Sequence, residues 1–241
     1  MKIALKILLM TCIIGYVTFA IVRFGERPEN GVCAAVDIEV EEDTMSSLIS
    51  TEHIQSIMAR HKIAPEGQRL YKTNLGRLEQ VLEQDPYISE AQCYYKSNTR
   101  LCIRIKPLQP VLHVISEDGE DYYIDTTGVI MPVGKFNLDL CVATGKVNKA
   151  TVKKDLVPLA WYIYNSNYWR KQVQQIHVSS HGDIYIIPRE GRFRINLGTA
   201  DNFEEKFSNM RLFYEEGLPK VGWNRYKEID LRFKDQVIGK K

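Results

Sequence analysis

Cysteine is scarce in this chain, five in 241 residues, and no two fall in a Cys-x-x-Cys pair. That excludes a disulfide-scaffolded mini-domain and gives no support to a zinc ribbon. An excess of one charge is also lacking. The 32 Lys and Arg against 30 Asp and Glu leave +2, too balanced for a nucleic-acid surface, and no basic run is interleaved with aromatics. Catalytic signatures are missing as well. No Gly-x-Ser-x-Gly elbow occurs. Thr144-Gly145-Lys146 is followed by Val147, where a phosphate loop needs Ser or Thr, so it reads as a plain turn. His53 and His61 lack metalloprotease spacing. His113, His177 and His181 each stand alone in the sequence, and Asp118, Glu120 and Asp121 cluster where a solvated hairpin tip is expected. There is no internal repeat and no low-complexity segment. No cofactor, metal or small-molecule substrate is expected.

One long hydrophobic run is present. Residues 7–22, ILLMTCIIGYVTFAIV, lie between Lys6 and Arg23. Counted over residues 3–24, with Lys6 snorkelling, the run is long enough for the roughly 20 residues a helix needs to cross hydrocarbon. Ile7, Leu8, Leu9, Ile13, Ile14, Val17, Phe19, Ile21 and Val22 would face the lipid. A cleaved signal peptide is the competing reading, but Arg23, Glu26, Arg27 and Pro28 follow the run in place of small cleavage-site residues. The charge bias across the run is slight. The short N-terminal stub is easily left in the cytoplasm, which would put the C-terminal bulk outside.

After the stub and transmembrane helix (1–24), Gly25, Pro28, Asn30 and Gly31 mark a linker over 25–33. Hydrophobic content of 44% then allows an ordinary core. Val36, Ile38 and Val40 alternate with acidic residues as a half-buried strand. Ser50 or Thr51 can cap a helix carrying Ile54, Ile57 and Met58, and Thr73 or Asn74 a second carrying Leu75, Leu78 and Leu82. Asp85-Pro86 stops the second helix. Two strands follow around a Ser97-Asn98 turn. The order over 34–107 is β-α-α-β-β, two helices on a three-stranded sheet.

Pro107 and Pro110 mark a boundary, and 108–241 reads as a strand-rich mixed α+β domain, making the whole chain α+β. Strands are expected at 111–115 and 122–124 around Asp118-Gly119, at 129–131, 138–142, 176–178, 184–187 and 193–197. A helix is expected over 154–164, with Pro158 tolerable only near its first turn. Asp201 and Glu204 form a capping box for a helix with Phe203, Phe207, Met210 and Tyr214 on one face, ending at Gly217. The last strand is expected over 228–233, with Ile229, Leu231 and Phe233 inward and Glu228, Asp230 and Arg232 outward. Cys93 and Cys102 pose a conflict. A two-residue turn sets them opposite one another, whereas alternation points Cys93 inward and Cys102 outward. Unpaired thiols are the default and a Cys93–Cys102 disulfide the alternative, and a bulge or odd loop length would resolve the conflict.

The order of these elements resembles the bacterial FtsQ/DivIB cell-division family, and the β-α-α-β-β unit resembles a POTRA domain. The stretch 78–114, LEQVLEQDPYISEAQCYYKSNTRLCIRIKPLQPVLHV, is similar to the family's POTRA end. Tyr123-Ile124-Asp125 with Gly128 resembles its aspartate-x-x-glycine hairpin. Residues 194–198 with Lys206 resemble its leucine-glycine segment and lysine-bearing helix, and residues 228–233 its aspartate-leucine-arginine-aromatic strand. The resemblance implies a non-enzymatic divisome scaffold in the inner membrane, its C-terminal region in the periplasm at the septum. It would bind FtsB-like and FtsL-like bitopic partners. Residues 227–234 would present an edge to a partner strand, with Tyr226, Glu228, Asp230, Arg232 and Phe233 in contact. The chain departs from some family members in having Glu228 where they carry an aromatic. The alternatives are a membrane-tethered periplasmic enzyme and a POTRA-type envelope assembly factor.

Overall fold

The structure, a computed structural model, describes residues 2–24, 31–41, 49–134 and 138–241. Most of the expected linker therefore lies outside the described residues. Helix α1 runs Lys2–Phe24. Leu9, Ile13, Ile14, Val17, Phe19 and Ile21 project from it and are exposed, while the side chains of Ile7, Leu8 and Val22 lie outside the described set. Among the described residues no helix is long and apolar enough to cross a membrane.

The chain divides into two compact units, Met1–Pro107 and Leu108–Lys241. In the first, β1 (Ala35–Val40), β2 (Ile88–Tyr95) and β3 (Arg100–Pro107) form a sheet in the order β1-β3-β2. β1 is parallel to β3, and β2 antiparallel. Ser50 caps α2 (Thr51–Arg60) by accepting from the His53 N–H, and Asn74 caps α3 (Leu75–Leu82) by accepting from the Arg77 N–H. Ile54, Ile57, Met58, Leu78 and Leu82 are buried as their helical spacing requires. Edge strand β2 is guarded by α3. The Cys93 N–H donates to Glu79 Oε1 at 2.7 Å and the Ala91 N–H to Glu83 Oε1 at 3.2 Å. Two main-chain donors that a foreign strand would need are thereby occupied.

The β2–β3 turn resolves the cysteine conflict through an odd loop. Lys96 and Ser97 N–H groups both donate to the Arg100 carbonyl, so Tyr94 pairs with Cys102 and Cys93 with Ile103. The thiols point to opposite faces, and both are free. Burial, then the Glu79 carboxylate, pushes the Cys93 thiol up to about 12. Cys102 faces away from the helices yet is fully buried. Beside it Lys96, Arg100 and Arg104 pair with Asp37 and Glu39.

The second unit is a nine-stranded mixed sheet, order β12-β11-β10-β9-β8-β7-β4-β5-β6. Its strands are β4 (Pro110–Ser116), β5 (Asp121–Asp125), β6 (Ile130–Pro132), β7 (Cys141–Gly145), β8 (Val173–Val178), β9 (Ile184–Pro188), β10 (Arg194–Gly198), β11 (Glu228–Asp230) and β12 (Ile238–Lys240). β7 runs parallel to β8 and β10 to β11, so each pair needs a helical crossover. The first is α4 (Lys149–Thr151), a π turn Val152–Leu156, α5 (Val157–Asn165) and α6 (Trp169–Gln172). The second is α7 (Phe203–Leu212), a π turn Phe213–Gly217 and α8 (Leu218–Val221). The core joins Leu156, Leu159 and Ile163 to Ile176, Ile186, Ile195, Leu197, Phe207 and Ile229.

Several expectations are corrected here. The strand expected at 138–142 starts at Cys141 and extends to Gly145. The first helical segment begins earlier than 154, capped by Asn148 accepting from the Thr151 N–H, and carries Pro158 in its interior. The Val157 N–H reaches back five residues to the Val152 carbonyl, and the Leu218 N–H does the same to Phe213, one position before Pro158 and Pro219 respectively. A proline ring collides with the carbonyl four residues back and offers no N–H. A widened turn lets the helix continue past it. Gly217 therefore does not stop its helix; Gly222, at φ +93°, does. The Asp201/Glu204 capping box does not form. Asn202 occupies the N-cap position in a left-handed conformation without a side-chain cap bond, and Asp201 accepts from the Thr199 hydroxyl instead.

Candidate functional site: the C-terminal edge of the large sheet

The segment expected to be an outer strand is an inner one. β11 covers only Glu228–Asp230, flanked by β10 on one side and β12 on the other. The outermost strand at this end is β12. Alternation also fails locally. Ile229 and Leu231 are buried as expected, but Asp230 is fully buried and Phe233 is 51% exposed, the reverse of the sequence reading.

Asp230 is tolerated in the interior because every approach to it is cationic or an N–H. Arg232 grips its carboxylate with Nε at 3.0 Å and a terminal nitrogen at 2.7 Å. The Arg232 N–H donates at 3.2 Å, and Lys240 Nζ reaches it from β12 at 2.8 Å. Arg232's bonds first, joined by the one from Lys240, together outweigh burial and hold the Asp230 carboxyl far below the usual carboxylate range. The same pairing raises Arg232. Glu228 takes the next position outward, accepting from Lys240 Nζ at 2.7 Å and from Arg194 at 2.8 Å. Burial pushes its carboxyl up, but the bonds from Lys240 and Arg194 together outweigh that and leave it lowered. Lys240 thus ties β12 to β11 through two carboxylates.

Tyr226 forms a floor. It is half-buried beside Phe213, and a Cβ on Gly239 would come within 2.5 Å of its ring. Only glycine lets β12 lie this close. The next strand is anchored similarly. Lys206 Nζ donates to the carbonyls of Leu197 and Thr199, both at 2.9 Å, joining α7 to the end of β10. Burial lowers its pKa. Lys206→Met should leave two carbonyls short of a donor and destabilise the unit by about 1–3 kcal/mol, read as a lower unfolding midpoint. Asp125 has a comparable structural role. It is buried and accepts from Thr127 and Val129 N–H groups, shaping the turn at Gly128.

The expected partner residues thus share one edge but not one task. Glu228, Asp230 and Arg232 form a brace, Tyr226 a floor, and Phe233 an exposed ring beneath the Arg232 guanidinium at 5.9 Å. Sequence reasoning missed Arg194, Gly239 and Lys240, which contact them. The only hint was a cation twelve positions beyond Glu228, and without the β11–β12 pairing that spacing has no meaning. The histidines read as solitary have partners. His113 meets Asp121 at 2.7 Å, His177 meets Thr144 at 3.0 Å and His181 meets the Ser180 hydroxyl at 3.3 Å; His53, which lacks metalloprotease spacing, meets Asp85 at 2.8 Å. Among the described residues no group of three or more His, Cys, Asp or Glu is placed to hold a metal ion.

Two comparisons with known proteins bear on this arrangement. Residues 31–106 match a model described as a POTRA-like domain, and residues 109–240 one described as FtsQ/DivIB, C-terminal related. No curated protein matches the chain. The second match alone spans more than half of the sequence and takes in the whole nine-stranded sheet with its braced edge, so the chain belongs to the FtsQ/DivIB-related family, as a POTRA-like domain followed by an FtsQ/DivIB C-terminal-related domain.

Proposed function

We propose that the protein is a non-enzymatic cell-division scaffold, tethered to the inner membrane by α1 with residues 34–107 and 108–241 as periplasmic domains at the septum. Its partners in this reading are FtsB-like and FtsL-like bitopic proteins. The observation that carries the reading is the family match over the large sheet together with the open strand at that sheet's end. The anchor is supported by α1 itself. Its 23 residues extend about 35 Å, and apolar side chains from Leu9 to Ile21 stand exposed around it, as on a helix whose surroundings are lipid. The Thr18 hydroxyl donates to the Ile14 carbonyl at 2.8 Å, which satisfies a polar group that lipid cannot.

A partner strand would add alongside β12, gaining affinity from main-chain bonds and specificity from side chains. Each such bond contributes about 0.5–1.5 kcal/mol net. Three strand residues therefore need help, which the exposed Phe233 ring supplies. Arg232→Glu is unsuited to testing the edge, because Arg232 holds the buried Asp230 carboxylate. That change would set a carboxylate against buried Asp230 and disturb the fold itself. Gly239→Ala is more selective, because the added methyl meets the Tyr226 ring and lifts β12 while leaving Ile229 and Leu231 in place. Co-purification of the tagged full chain from membranes should recover small bitopic coiled-coil proteins. Gly239→Ala should reduce that recovery at least about tenfold, a loss of about 1.4 kcal/mol, with the main unfolding transition unchanged. Full recovery with Gly239→Ala, and with Ile238→Pro as a second disruption of β12, would remove this edge from the interaction.

A further inference from the structure

We propose that the POTRA-like unit carries an anion site for the phosphate of an anionic lipid headgroup, in the cleft between the end of α2 and the start of α3. The lipid as source rests on the membrane-anchor reading above; free phosphate shares the same chemistry.

The cleft has a volume of about 210 Å³. Lys62, Lys72 and Arg77 line it over an apolar base of Pro65 and Leu78, and no carboxylate lines it. Among the described residues none of these three cations has an ion-pair partner. The contrast lies within the same unit, where Lys96, Arg100 and Arg104 are each bonded to Asp37 or Glu39. The first turn of α3 opens onto the cleft at Asn74 and carries no acidic residue, so the positive end of that helix adds to the field. One further polar group lies at the cleft. Thr73 lines the cleft, and its hydroxyl oxygen is buried without a hydrogen-bond partner among the described residues. Buried hydroxyls are ordinarily bonded, and a phosphate oxygen accepts from a hydroxyl and from lysine and arginine at once.

Chain connectivity places the cleft close to α1. The Leu70 N–H donates to the Gly31 carbonyl at 2.9 Å and the Cys33 N–H to the Gln68 carbonyl at 2.8 Å. The segment emerging from the linker therefore lies against the same stretch that supplies Gln68, Lys72 and Thr73 to the cleft. Gly31 is seven positions beyond Phe24, the end of α1, which an extended chain spans in at most about 25 Å. With α1 in a bilayer, the cationic cleft is held within reach of the headgroup layer, where anionic lipids concentrate negative charge.

The test uses the full chain in nanodiscs of neutral phosphatidylcholine and in discs that also contain phosphatidylglycerol, with backbone amide signals of Thr73, Asn74 and Arg77 as reporters. Phosphatidylglycerol should shift these signals. Combined substitution of Lys62, Lys72 and Arg77 by Gln should abolish the shift, and Thr73→Val should weaken it while leaving the unfolding midpoint in neutral discs unchanged or higher. Identical signals in the two discs, or shifts that survive the triple substitution, would overturn the lipid site. Failure of the chain to enter neutral discs would count against the anchor reading alone. Glycerol phosphate added to the chain in solution then reports on the cleft. Saturable shifts, weakened at least about tenfold in the triple variant, support it, and their absence overturns it.

Discussion

Trp169→Ala is expected to destabilise the second unit by about 3–5 kcal/mol and to lower its unfolding midpoint by about 10 °C or more. Trp169 stands at the start of α6 and is almost wholly buried. Its ring meets Tyr168 and Phe207 edge-on, both at 4.8 Å between centroids, and Tyr214 at 5.9 Å. Those contacts bind the first helical crossover to the second. Removing the indole forfeits its transfer energy and leaves a void that two helices and a sheet cannot close. Trp169→Phe should recover much of the loss, because it keeps an aromatic ring against Phe207. Denaturant unfolding of the two variants checks this, and equal midpoints for Ala and wild type would show that the α6–α7 contact bears little load.

The second large effect is expected at Asp230. Asp230→Ala should cost about 2–3 kcal/mol, less than the 3–5 of a fully buried pair because Arg232 and Lys240 both reach water. It should also loosen β12, so that amide exchange at residues 238–240 rises while α5 and α7 stay protected. The pH dependence has a definite sign. The folded carboxyl titrates well below its unfolded value, since Arg232 and Lys240 stabilise the ionised form. Its contribution is complete above about pH 4 and is lost as the pH falls through the depressed folded value. Wild type should therefore weaken on acidification below pH 4 more steeply than Asp230→Ala. Parallel acid unfolding curves would show that the brace does not set the acid limit.

Local pattern was sufficient for much of this chain. The order β1-α2-α3-β2-β3, its caps at Ser50 and Asn74, the Asp118-Gly119 hairpin and the inward face of α7 were all legible, because each depends on a periodicity or turn chemistry confined to a few neighbours. The same holds for α1 as a helix. What the sequence could not decide was anything set by a strand's neighbours in space. Residues 228–233 alternate as an outer strand would, yet β12 arrives from a segment too short to show a period and covers residues 228–230. Once it does, Asp230 lies between two cations and becomes an interior residue, while Phe233, beyond the end of β11, turns out to solvent. From the sequence, Pro158 reads as tolerable only near a first turn and Gly217 as the end of its helix, because a proline forbids the ordinary bond and a glycine favours a C-cap. Tertiary packing of Leu156, Leu159 and Leu218 instead kept both helices running through widened turns. Identity of the elements was a matter of short-range chemistry; which strand is outermost, which charge is buried and where a helix survives its proline were decided by contacts between residues far apart in the chain.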